Sequence, residues 1–235
     1  MKIRAVLFDL GGTLLVMRRD RIFQRVLSER GKEVSLEKVH AAYMELDPWW
    51  LSKYGVMRMT REETYEAYRD LDGRVYARLF PQAGRTETDE VSRIVRSRWP
   101  SLGLEIPPEL YPDAEPTLSS LSSKGFLLGL VSNAPADTID TVKSLGLGKF
   151  LSSIVISGIV GFTKPHPEIF RIALSELGVS PNEAVHIGDL YDADVVGARN
   201  AGIVGVLLDR DHTHGTPDCL WIRSLSEIEP QVLGL

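Results

Sequence analysis

Asp9 is the residue whose surroundings most suggest chemistry. It ends the apolar run Val6-Leu7-Phe8 and is followed by Leu10, Gly11, Gly12 and Thr13, so a carboxylate stands where a strand gives way to a glycine-opened turn. Three more places follow an apolar run with polar residues: Ser132-Asn133, the loop Gly161-Phe162-Thr163-Lys164-Pro165, and Gly188-Asp189 with Asp192 and Asp194 close behind. Singly, each has an ordinary explanation, since Asp and Gly make turns, Ser and Asn cap helices, and a loop lysine is solvated. Together they offer carboxylates, a hydroxyl, a lysine and loop amides at four run ends.

That set suits phosphoryl transfer. A phosphoryl group in transfer spreads charge over three equatorial oxygens, so it needs a cation, a hydroxyl and amides around it, with a nucleophile in line with the leaving oxygen. Lys164, Ser132 and the loop amides can provide the surround. Asp9 and Asp189 can hold Mg²⁺, a hard cation that prefers oxygen ligands. An Asp carboxylate can also attack phosphorus, dividing a hard hydrolysis into two steps through an aspartyl phosphate.

Elements must bring these residues together. Ile3 to Phe8, Phe126 to Val131, Ile154 to Ile156, Ala184 to Ile187 and Val204 to Leu208 read as short buried strands separated by helical patterns or short loops, the alternation of a doubly wound α/β parallel sheet. In such a sheet ligands bind beyond the carboxyl ends of the strands, which is where all four polar groups fall. One more strand near Leu220 and a closing helix are expected in the tail. From about Val16 to Pro107 no strand-like run appears, and the pattern is helical throughout. Thr60-Arg61-Glu62-Glu63 reads as a capping box opening a helix to about Phe80, and Thr86 to Trp99 as another. Five prolines between Pro100 and Pro116 are expected to end the helices and return the chain to the sheet. The expected division is therefore an α/β core of residues 1–15 and 108–235 with an inserted all-helical domain of residues 16–107.

These residues and their order resemble the haloacid dehalogenase-like hydrolase superfamily over the whole chain. "FDLGGT" is similar to the first family motif, "LVSNA" to the second, "TKPHPEIF" to the third and "HIGDLYDADVVGARNAG" to the fourth. The resemblance implies a Rossmann-like core, a helical cap and a phosphatase acting on a small phosphorylated molecule. It also implies Asp9 as nucleophile, Ser132 and Lys164 as catalytic groups, Ser132, Asn133 and Lys164 as substrate contacts, and Mg²⁺ held by Asp9, the Gly11 carbonyl and Asp189, with Asp194 supporting the metal or Lys164. The departure is Gly11. Phosphatases of the superfamily usually carry a second Asp there, whose carbonyl binds the metal and whose carboxyl group moves protons. The carbonyl survives the change and the proton carrier does not. His166, His212 and His214 titrate in a suitable range to replace it, but a helix start and a loop are ordinary places for them, and His186 reads as a core histidine. A 2-haloacid dehalogenase tolerates a non-acidic residue at this position but generally lacks the acidic fourth motif; a phosphoryl- or partner-binding protein without turnover is the other alternative. A response-regulator receiver fits poorly, because its acceptor Asp follows the third strand and it has no such helical insert.

Composition excludes other classes. The 235 residues are 43% hydrophobic and 25% charged with net charge −5, which offers no basic face to nucleic acid. One cysteine, Cys219, cannot form an intramolecular disulfide, and no leader or membrane-spanning apolar stretch is read at either end. A cytoplasmic protein, a monomer or a homodimer, is expected. Trp49-Trp50, Tyr65 with Tyr68, and Arg18-Arg19 could line a substrate pocket, although aromatic residues at helical spacing more often pack a core.

Overall fold

The computed structural model describes residues 3–16, 19–54, 61–105, 107–210 and 217–233. Its strands are β1 (Ala5–Phe8), β2 (Leu127–Ser132), β3 (Ser153–Ile156), β4 (Ala184–Gly188), β5 (Val204–Leu208) and β6 (Leu220–Ile222). They form one sheet in the order β3-β2-β1-β4-β5-β6, and every pairing is parallel. The order reverses at β1, the switch point of a doubly wound sheet. The α/β expectation holds, with strand ends shifted by one or two residues.

The strands are apolar on both sides because both faces are covered. Val6 and Phe8 point to one face, where they pack with Leu128, Leu130 and residues of α5 (Ala114–Ser123). Ala5 and Leu7 point to the other, against Ile169, Phe170 and Ala173 of α8 (Pro167–Leu177), the alternation that extended backbone imposes. Shorter helices α6 (Thr138–Ser144), α7 (Ser157–Val160) and α9 (Gly197–Asn200) fill the connections, and a π-helical turn, Tyr191–Val196, follows β4. The tail closes on a 3₁₀ turn and a π-turn ending at Leu233.

The chain divides into two compact units, one holding the sheet with residues up to Val16 and from Glu109 onward, the other holding four helices. These are α1 (Arg19–Glu29), α2 (Leu36–Tyr54), α3 (Arg61–Leu79) and α4 (Arg85–Glu105). α1 packs on α2 and α4, and α3 packs on the same two. Their apolar faces meet through Ile22, Phe23, Tyr43, Leu71, Val75 and Val95, all buried. The helical unit also buries charge. Arg96 reaches Asp72, which accepts the Tyr43 hydroxyl at 2.6 Å, and Arg19 pairs with Asp47 through two hydrogen bonds.

One expectation fails here. Pro100 does not end its helix, because α4 continues to Glu105. A proline inside a helix removes one amide donor and crowds the preceding turn, and the helix accommodates that loss; α2 likewise contains Pro48. Thr60, the expected cap of α3, lies outside the described residues, and the helix carries Glu62 and Glu63 in its first turn. No helix among the described residues is long and apolar enough to cross a membrane.

Candidate active site

The parallel register brings the ends of β1 and β4 side by side. Phe8 pairs with Ile187, and the Asp9 amide donates to the Ile187 carbonyl at 2.9 Å, so Asp9 and the Gly188-Asp189 corner leave the sheet together. Beyond Asp9 the chain folds into a tight turn in which the Leu14 and Leu15 amides both donate to the Leu10 carbonyl and the Gly12 amide donates to Leu15. Gly12 has φ +80°, and a Cβ there would stand 2.1 Å from Asp189 Oδ2. Only glycine lets Asp189 lie directly on the turn. Gly188 does the same for Asp194, whose Cγ would be 2.1 Å from an added Cβ.

Lys164 joins the carboxylates. Its Nζ donates to Asp9 Oδ1 and to Asp194 Oδ1, both at 2.6 Å, and its side chain is 2% exposed. Asn133, one residue past β2, holds the Lys164 main chain from both sides. Its Nδ2 donates to the Lys164 carbonyl at 2.9 Å, and its Oδ1 accepts the Lys164 amide at 2.7 Å. Asp194 also accepts from His186 Nε2 at 2.9 Å and from the Leu190 amide at 3.0 Å, so three donors fix its two oxygens.

Charge follows from this packing. Burial pushes the Asp9 carboxyl up to about 6, although Lys164 pulls it down. Burial also works against ionised Asp194, but Lys164 and His186 outweigh it and hold that carboxyl well below the usual range. Lys164, flanked by both carboxylates, stays charged above its ordinary range despite its burial. Burial lowers His186, which remains a neutral donor to Asp194.

Asp9, Asp189 and Asp194 each offer an oxygen within 4.8 Å of the others. An all-oxygen set drawn from two adjacent strand ends fits Mg²⁺ by hardness and charge.

The structure therefore gathers Asp9, Lys164, Asp189 and Asp194 at one sheet edge, with Ser132 buried at the end of β2. It ties Asn133 to the Lys164 backbone, a positioning arrangement that the expected substrate contact did not include. His166 caps α8 by accepting the Glu168 amide, and its ring stands 5.0 Å from that of Phe162. His212, His214 and Arg18 lie outside the described residues. In the helical unit, Trp50 stacks on Tyr68 at 4.8 Å and donates to the Ala67 carbonyl, so both aromatics pack that unit's core. Trp49 lies under Arg74 and Tyr65 is exposed. Arg19 lies 4.6 Å over the Tyr43 ring and pairs with Asp47. Cys219 is half-buried, which pushes its thiol up.

His186 is a buried core histidine, as the sequence reads it, and its hydrogen bond to Asp194 adds it to this network. Its signal was the strand alternation, which puts it on the same face as Gly188, where the missing Cβ makes room for Asp194.

Comparison with known proteins identifies the family. The family model for haloacid dehalogenase-like hydrolases matches residues 3–202. Glyceraldehyde 3-phosphate phosphatase of Methanopyrus kandleri is 33% identical over 210 residues, 88% of this chain and 84% of that one. Phosphoserine phosphatase of Thermus thermophilus is 42% identical over 102 residues, 43% of this chain and 41% of that one. Among solved structures, the hydrolase YfnB of Bacillus subtilis superposes with TM-score 0.71 at 22% identity over the full length of both chains, and a phosphatase of Thermococcus onnurineus with TM-score 0.58 at 27% identity over 98% and 97%. With its motifs assembled at one sheet edge and a family match over most of its length, the chain belongs to the haloacid dehalogenase-like hydrolases.

Proposed function

We propose that this hydrolase is a Mg²⁺-dependent phosphatase of small phosphomonoesters, with Asp9 as nucleophile. The observation that carries the reading is Lys164 Nζ, placed 2.6 Å from Asp9 Oδ1 and Asp194 Oδ1 at the sheet's switch point while Asp189 rests on Gly12. The relatives named as phosphatases of glyceraldehyde 3-phosphate and phosphoserine support the substrate class.

Asp9 and Asp189, with the Gly11 carbonyl, would hold the metal, and Asp194 would hold Lys164. Bound Mg²⁺ supplies positive charge that offsets the repulsion between an anionic nucleophile and an anionic phosphate. A carboxylate oxygen of Asp9 attacks phosphorus, and the bond from phosphorus to the ester oxygen breaks. The leaving group departs with the electron pair of that bond as an alkoxide or aryloxide and takes its proton from solvent water. Lys164 and Ser132 surround the phosphoryl oxygens, and Asn133 keeps Lys164 in place. Water then attacks the aspartyl phosphate, releasing inorganic phosphate and restoring the Asp9 carboxylate. Neither step has the usual acid or base, because position 11 is glycine. The helical unit is assigned as the domain that sets substrate choice.

The deciding experiment is release of aryl alcohol from an aryl phosphate by wild type and Asp9→Asn, with Mg²⁺ and with a chelator. Activity lost to both the substitution and the chelator is expected. Equal activity in wild type and variant would overturn the nucleophile assignment, and chelator-insensitive chloride release from a 2-haloacid would replace the reading by dehalogenation.

A further inference from the structure

The turn that carries Gly11 and Gly12 is held from behind as well as from the Asp189 side. Arg210, two residues past β5, donates from Nη2 to the Thr13 carbonyl at 2.9 Å. The same guanidinium grips Asp113 through two hydrogen bonds of 2.9 Å, Nη1 to Oδ2 and Nη2 to Oδ1, and lies 3.9 Å over the centre of the Tyr111 ring. Asp113, which precedes α5, also accepts the Ser224 hydroxyl at 2.7 Å and the Leu225 amide at 2.9 Å. Both charged side chains are largely buried, 15% and 18% exposed.

This junction has a specific geometry. Leu10, Leu14 and Leu15 of the turn use their carbonyls for backbone amides, whereas the Thr13 carbonyl goes to a side chain from a distant part of the sequence. Its planar fork is needed, because one guanidinium must present parallel donors to Asp113 and a further hydrogen bond to Thr13 while stacking on Tyr111. The pair also stabilises the fold, but nothing in a stability role requires the third contact to fall on the nucleophile turn.

We infer that Arg210 is a positioning residue for the reaction: anchored by Asp113, it holds the Thr13 carbonyl and thereby fixes the turn that leads out of the nucleophile Asp9. The inference rests on the proposed phosphatase reading and adds a residue outside the four motifs to it. It acts through the turn and touches no reacting atom.

Arg210→Ala and Arg210→Lys test it on the full chain, with three readouts: kcat and KM for an aryl phosphate with Mg²⁺, amide exchange of the peptide spanning Leu10 to Leu15, and rescue by added guanidinium. Misplacement of a reacting group by about 1 Å costs on the order of 100-fold, so kcat is expected to fall roughly 10- to 100-fold with KM nearly unchanged. Exchange should quicken at Leu14 and Leu15. Because Arg210 Nε makes no hydrogen bond, free guanidinium can reproduce every contact, and millimolar guanidinium should restore kcat in Arg210→Ala where the same concentration of ammonium does not. Arg210→Lys keeps the charge and provides a folded variant if Arg210→Ala is too unstable.

A kcat unchanged in both variants overturns the inference, as does a loss of kcat that guanidinium leaves untouched. If wild type itself releases no phosphate, the phosphatase reading fails, and exchange alone decides the positioning role: quickening confined to Leu10–Leu15 upholds it, and unchanged exchange overturns it.

Discussion

Asp189 lies so close against Gly12 that a single added methyl group would sit 2.1 Å from its Oδ2. Two separate effects follow from Gly12→Ala. The left-handed backbone at φ +80° costs about 1–2 kcal/mol for a non-glycine residue, which unfolding will register. The clash itself can be relieved by swinging a carboxylate, and that moves Asp189 away from Asp9. Mg²⁺-dependent activity is therefore expected to fall far more than stability does. Half-saturation by Mg²⁺ should rise even where the folded fraction is complete. A variant with lower stability and an unchanged Mg²⁺ response would show that Asp189 takes no part in holding the metal.

Lys164 is the only cation in hydrogen-bond contact with both Asp9 and Asp194 among the described residues. Lys164→Met leaves two buried carboxylates facing each other without it. Breaking a buried ion pair by removing one partner costs about 3–5 kcal/mol, so urea unfolding at neutral pH should register a loss of that order. Asp194→Asn in the Lys164→Met background should cost less than the sum of the two single changes, since the second removes a charge that the first had stranded. Strict additivity would mean the two side chains do not depend on each other.

Much of this was legible from residue types and order. The strands announced themselves as apolar runs because both faces of a parallel sheet are covered, and Asp9, Lys164, Asp189 and Asp194 follow from their places just beyond those runs. What was not legible depends on three-dimensional closeness. Nothing in a lone Asn133 says whether its amide meets a substrate or clamps the Lys164 backbone, and a histidine inside β4 looks like filler until Asp194 folds back onto it. Arg210 was invisible for the same reason, since its partners Thr13 and Asp113 are far away in sequence. Pro100 misled because a rule about average cost was applied as a stop signal, whereas a long, otherwise well-supported helix carries one missing hydrogen bond.

Acid should weaken the fold partly through Asp113. Burial opposes its ionisation, but Arg210, Ser224 and the Leu225 amide outweigh that and hold the folded carboxyl below its ordinary value of 3.8. A carboxyl depressed in the folded state stabilises fully above the unfolded value and loses that contribution as pH falls through the folded one. The loss belongs below about pH 4. Urea unfolding of wild type and Asp113→Asn at pH 6 and pH 3 should show the gap between them closing at the lower pH. A gap that stays constant would remove Asp113 from the acid response.

Position 11 offers the sharpest test of the chemistry. Gly12 occupies the left-handed region, whereas Gly11 forms a β-bridge with Leu15. General acid-base catalysis is typically worth roughly 10² to 10⁴ in rate. Wild type should therefore favour leaving groups that need no proton, and its rate should fall steeply from aryl to alkyl phosphates. Hydrolysis of the aspartyl phosphate lacks the same base, so a burst of aryl alcohol and a trapped phosphoenzyme at Asp9 are expected in rapid-quench experiments. Gly11→Asp should flatten the leaving-group dependence, raise alkyl phosphate turnover and shrink the burst. If wild type already shows a flat dependence and no burst, another group supplies the proton, and Gly11→Asp should then add little.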